Sequence, residues 1–206
     1  MQARRFHRRE NMKIRNNPII ASVILGAITL AAAQSDTGAA KPIDKERSLL
    51  TVRVYKAGLF SAFAHDHEVR APIKSGMVDE EKNSVEFTVD SRSLHVLDPK
   101  ASESERAEIQ SSMQGPQVLN SEKYPEIRFQ SISISEAGDH KLIVRGDLTL
   151  HGQTHSVRVD VVGSEGHYSG LALLSQKAFG ITPISLGGGS IRVKDEVRVE
   201  FEIFTP

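Results

Sequence analysis

The segment LFSAFAHDHEVRAP, Leu59 to Pro72, gathers side chains that could do chemistry. His65 and His67 stand one residue apart with Asp66 between them, and Phe60 and Phe63 come just before. In an extended chain residues i and i+2 share a face, so both imidazoles can look the same way. Three uses follow. The pair could supply two ligands of a zinc site, with the third from His151, His155 or a carboxylate, as a metal-dependent hydrolase would need. One imidazole could anchor a ligand headgroup at the mouth of an apolar cavity. Or the rings could bond backbone carbonyls at a strand bend beside Pro72. At this point all three stand open.

Other catalytic patterns are missing. The chain has no cysteine, which removes thiolate metal sites, cysteine nucleophiles and disulfides together. No Gly-x-Ser-x-Gly elbow occurs. Gly187-Gly188-Gly189 lacks the Gly-Lys-Ser/Thr ending of a phosphate loop and reads as a loop between the last two strands. His151-Gly152 reads as a hairpin turn rather than a site, because Gly152 supplies the left-handed backbone a tight turn requires.

The elements that must position these residues show a period of two. Leu50, Val52 and Val54 alternate with polar residues, as do Val85, Phe87 and Val89. The same holds for Leu142, Val144, Leu148 and Leu150, for Val157, Val159 and Val161, and for Val197, Val199, Phe201 and Ile203. Charged residues such as Arg145, Asp147, Arg158, Asp160, Arg198 and Glu200 occupy the opposite phase. One wet and one dry face is the pattern of antiparallel strands. Weaker strands are expected near 67–78, 126–135 and 168–175, and Tyr124-Pro125 reads as the start of one of them. The total is about eight, with one short helix in a connection: Ser102 and Glu105 form a capping box, and Ile109 and Met113 form a stripe that must dock on the sheet.

Eight such strands are all-β and antiparallel and can close into a barrel or fold as a sandwich; closure removes exposed edges, and an eight-stranded barrel has room for one small ligand. A membrane barrel would carry aromatic girdles. This chain has no Trp and three Tyr, so a water-soluble barrel is expected.

Six basic residues and one acidic residue lie in 1–33, so the remainder is five charges negative although the whole chain is neutral. That body offers no basic footprint for nucleic acid. The basic start, the uncharged run Pro18–Ala33 and the small residues Ala31-Ala32-Ala33 predict a signal peptide over 1–33, with export to the periplasm or beyond. Met12 is an alternative start. The polar stretch 34–46 reads as a linker, and 47–206 as the domain.

Four stretches, SEKYPEIRFQS (121–131), VRGDLTLHGQTHSVRVDV (144–161), FGITPISL (179–186) and VKDEVRVEFEI (193–203), resemble the YceI-like family in sequence and order. The resemblance covers the chain from about Leu49 to its end. It implies a lipocalin-like barrel, exported in bacteria, with a long apolar cavity for a polyisoprenoid or other amphiphilic lipid, and no catalytic residue set or cofactor. His65 matches the family's histidine, and His67 departs from its pattern. The expectation is therefore a binding protein, not an enzyme, that sequesters or transports an apolar or amphiphilic lipid such as an isoprenoid or quinone-like molecule. The expected ligand-binding residues are Phe63, His65, His67, Phe87, Val89, Phe129, Leu148 and Phe201. No metal and no nucleic acid is expected, nor a membrane span after processing, and a homodimer is compatible with the sequence. The rivals are the hydrolase built on His65 and His67 and an interaction module with a filled barrel.

Overall fold

The computed structural model describes residues 40–57 and 66–206. The expected signal peptide over 1–33, Phe63 and His65 lie outside the described residues. The strands are β1 (Lys41–Pro42), β2 (Leu49–Ala57), β3 (His67–Ala71), β4 (Ile73–Asp79), β5 (Ser84–Asp90) and β6 (His95–Val96). Helix α1 (Glu103–Gln114) follows, then β7 (Glu126–Gly138), β8 (Lys141–Leu150), β9 (Gln153–Ser164), β10 (His167–Ser175), β11 (Ser185–Leu186) and β12 (Ile191–Phe204). Eleven of these strands run in the order β1-β4-β5-β7-β8-β9-β10-β12-β2-β3-β6, and β11 pairs with β12 off that path.

The order itself requires the sheet to curl. β3 and β4 are separated by eight inter-strand steps along the path. At about 4.8 Å per step a flat sheet would hold them about 38 Å apart. Yet only Pro72 stands between Ala71 and Ile73, and two consecutive Cα steps reach at most about 7.6 Å. The sheet therefore rolls into a barrel, and Pro72 carries the chain across its seam. Proline lacks the N–H of a ladder donor, which suits a residue where β3 leaves β2 and β4 joins β5.

The expected count of about eight strands is corrected here. The single strand expected near 67–78 is two strands on opposite sides of the seam, and β1, β6 and β11 are two residues each, too short to show a period. The stretch read as a linker meets the barrel near its end. Within 34–46, Lys41 and Pro42 pair with Val78 and Met77, Ile43 is buried, and the Asp44 N–H donates to the Phe204 carbonyl at 2.8 Å. One apolar residue flanked by polar ones carries no readable period, so burial of Ile43 is set only by the strands it meets.

The dry and wet phases fall as the alternation predicts. Across β3-β2-β12, Arg53 donates to Glu68 at 2.6 Å and to Glu200 at 2.9 Å on the outer face. Leu50, Val69, Val144, Leu148 and Val161 are buried inside. This is the inverse of a membrane barrel, whose outward face is apolar. Among the described residues no helix is long and apolar enough to cross a membrane. The β8–β9 hairpin turns on His151 and Gly152 at φ 52° and 73°, as their sequence requires. Ser102 caps α1 in a reciprocal capping box with Glu105, and Ile109 and Met113 pack against the core.

Candidate functional site

The inward phase does not fill the barrel. It encloses a cavity of about 330 Å³. Val52 and Val54 of β2, Phe87 and Val89 of β5, Leu142 and Val144 of β8, and Val199 and Phe201 of β12 contribute to its wall. Two of the wall phenylalanines sit where strand glycines leave space. A Cβ on Gly146 would lie 2.5 Å from the Phe129 ring, and one on Gly170 would lie 2.7 Å from the Phe201 ring. Phe87 stacks on Phe129 with ring centroids 5.4 Å apart. The Phe129 and Phe201 rings thus lie over glycines of neighbouring strands, with Phe87 stacked on Phe129.

The two ends of the cavity differ. Leu94 follows the end of β5, Met113 and Leu119 come from α1 and the turn after it, and Ile181 follows the end of β10. These residues make one end apolar, with Gln176 the polar exception, and its amide is engaged with the Lys194 carbonyl at 2.8 Å. At the other end Ser84 opens β5 and Tyr168 opens β10, and Asp79, Glu80 and Asn83 join them in the wall. The Tyr168 hydroxyl donates to Glu80, whose other oxygen lies 3.6 Å from Lys41 Nζ. Burial, and then the Glu80 carboxylate, push the Tyr168 hydroxyl up to about 12. The hydroxyl's hydrogen bond holds Glu80 below the usual carboxylate range, with Lys41 adding to the effect. Asp79 accepts from the Lys82 backbone at 2.9 Å and its ammonium at 3.0 Å, which fixes the β4–β5 turn.

The expected site residues separate into groups. Phe87, Val89, Phe129, Leu148 and Phe201 all line the cavity. His67 does not. It pairs with Val54 at the far end of β2, and its imidazole Nδ1–H donates at 2.6 Å to Asp98. Asp98 is buried and also accepts from the Glu68 N–H at 2.7 Å. The ring bonds a side-chain carboxylate, not the backbone carbonyl considered from the sequence. His151 bonds the Phe179 carbonyl at 3.1 Å, and His155 packs edge-on against the Phe179 ring. Among the described residues no three His, Cys, Asp or Glu side chains come together as a metal centre.

Glu80, Asn83 and Tyr168 were not anticipated. Tyr168 shares the inward phase of Gly170, Ala172 and Leu174, and that alternation could have placed it. Glu80 lies in a turn, and nothing in the chain near it signals the contact with a residue 88 positions away.

A match to the YceI-like domain spans residues 42–204. A UPF0312 protein of Shewanella putrefaciens is 27% identical over 200 residues, covering 88% of this chain and 96% of that protein. A UPF0312 protein of Vibrio cholerae is 30% identical over 128 residues, 57% of this chain, and that match spans only 62% of the relative's length. Among solved structures, Burkholderia cenocepacia BcnA superposes with a TM-score of 0.59 at 21% identity, covering 80% of this chain and 99% of that one, a likeness of fold. The matched span runs from the second residue of β1 to the last of β12, so the chain belongs to the YceI-like domain family.

Proposed function

We propose that this protein is an exported carrier that holds an apolar or amphiphilic lipid, an isoprenoid or quinone-like chain, inside the barrel. One observation carries the reading: the inward phase of the long strands lines an open cavity of about 330 Å³ rather than a packed core. That volume is at the small end of ligand pockets, roughly 300–1,000 Å³. At about 30 Å³ for a group the size of water, it admits about eleven chain carbons. Each buried CH₂ contributes about 0.8 kcal/mol, so a filled cavity yields about 9 kcal/mol before ordering costs. Micromolar affinity needs about 8 kcal/mol. A single chain is therefore retained by the apolar wall, and a longer one extends through the polar end.

Export supports a carrier role, since a lipid crossing an aqueous compartment needs a sheath. The leader-like pattern of 1–33 is the basis for that compartment. Mass spectrometry of organic extracts from protein purified from its export compartment tests the reading. A lipid recovered near one equivalent is the expected result. Protein recovered intact, free of lipid and unable to take up a chain from vesicles would refute it.

A further inference from the structure

One reading of the sequence made an imidazole of the His65/His67 pair the polar anchor of the cavity, and of the two His67 is described. The polar end of the described cavity lies away from His67. Tyr168 pairs with Ile203, and Leu50 and Leu49 pair with Phe201 and Glu202, whereas His67 pairs with Val54. Val54 is four residues from Leu50 along β2, and the Tyr168 level lies two residues beyond Leu50 in the other direction. At about 3.3 Å per residue the two sites are about 20 Å apart.

We propose that the Glu80–Tyr168 pair is the headgroup subsite of the cavity, and that it selects an uncharged headgroup that donates hydrogen bonds, a hydroxyl or a primary amide, over an anionic one. This rests on the lipid-binding reading above. Four features carry it. Asp79, Glu80, Asn83, Ser84 and Tyr168 are grouped at one end of a wall otherwise apolar but for Gln176. A carboxylate has roughly four acceptor positions, and Tyr168, Lys41 and the Gly166 N–H account for three on Glu80, which leaves one for a donor from a ligand. The two acidic side chains in this part of the wall already hold cations, Lys82 on Asp79 and Lys41 on Glu80, so an incoming phosphate or carboxylate meets acidic groups whose countercharges are in use. Among the described residues the opposite end offers a headgroup little, because Leu94, Met113, Leu119 and Ile181 are apolar and the Gln176 amide is engaged with the Lys194 carbonyl. The chain therefore enters tail first and leaves its headgroup at Glu80.

Matched twelve-carbon ligands test this on delipidated protein by calorimetry: dodecanol, dodecanamide, dodecanoate and dodecyl phosphate. The expected result is that the alcohol and the amide bind at least about tenfold tighter than either anion, about 1.4 kcal/mol. Glu80→Gln should narrow that gap to under about threefold while the alcohol still binds. Glu86→Gln, on the outer face of β5, should leave it unchanged. Equal binding of all four ligands, or a gap that survives Glu80→Gln, overturns the headgroup subsite and leaves the carrier reading intact. Binding of none of them overturns both. Circular dichroism of Glu80→Gln confirms that the barrel is folded, and Tyr168→Phe gives a second route: it removes the donor to Glu80 without changing charge, and should preserve the preference against anions.

Discussion

At the scale of single residues, Asp98 shows how a buried acid is satisfied rather than used for chemistry. Its two oxygens accept from the Glu68 backbone and from the His67 ring. Asp98→Ala strands both donors, and a buried donor left unpaired costs about 1–3 kcal/mol. Urea denaturation should therefore show a loss of about 2–4 kcal/mol, with Asp98→Asn losing about half as much because one carbonyl oxygen remains. Equal losses would mean that the charged carboxylate, which both variants remove, carries the cost rather than side-chain volume. Asp90 makes a different point. The Arg92 side chain donates to it at 2.6 and 2.8 Å, and chiefly for that reason the carboxyl falls to about 2. Unfolded, it titrates near about 3.9. The unfolded chain thus takes up the proton first, so the contribution is full above about pH 4 and vanishes as pH falls through about 2. Asp90→Asn should lower the midpoint of thermal unfolding at pH 7, and the gap to wild type should close between about pH 4 and pH 2.

At the scale of elements, the strand glycines set the shape of the wall. Gly170 faces both the Phe201 ring and the Asp160 carbonyl, and a Cβ there would stand 2.1 Å from that oxygen. Backbone cannot yield as a side-chain tip can, so β9 and β10 must part or the ring must swing into the cavity. Overpacking of this kind costs about 1–3 kcal/mol. Gly170→Ala should fall in that range by denaturation. It should also weaken uptake of a twelve-carbon chain, because a displaced Phe201 takes its volume. A variant that loses stability but keeps full uptake would show that the strands, and not the ring, gave way. The seam at Pro72 is the second device at this scale: one residue without a backbone donor joins β3 and β4, each one strand in from an end of the sheet's path.

For the whole molecule, the question is whether the barrel is a core or a container. Phe87 and Phe201 both line the cavity, Phe87 stacked on Phe129 and Phe201 against Gly170. In a filled core Phe→Ala costs about 3–5 kcal/mol. Here each substitution should cost less than about 3 kcal/mol, because contacts are lost on one side only. Lipid occupancy should change in both variants. Glu86→Ala and Glu202→Ala, one residue out of phase, should alter neither quantity. Full core-sized losses for both phenylalanines would mean that the cavity closes in solution.

The strand alternation, the capping box of α1, the His151-Gly152 turn and the resemblance carried by KYPEIRF and GDLTLHGQT were all legible along the chain. They are local: a two-residue period, a four-residue motif or a pair of turn residues acts over a few positions and declares itself there. The cavity wall was legible for the same reason, since Phe87, Val89, Phe129, Leu148 and Phe201 occupy the dry phase of their strands. Three things were decided only by tertiary structure. The split of 67–78 into β3 and β4 depends on which neighbours each half finds across the seam. Burial of Ile43 depends on the approach of Gly76 and Phe204. The polar end of the cavity depends on Glu80 meeting Tyr168 and Lys41. A side chain's phase follows from its own strand, but the end of the barrel at which it meets a partner follows from register between strands distant in sequence, and no local pattern encodes that.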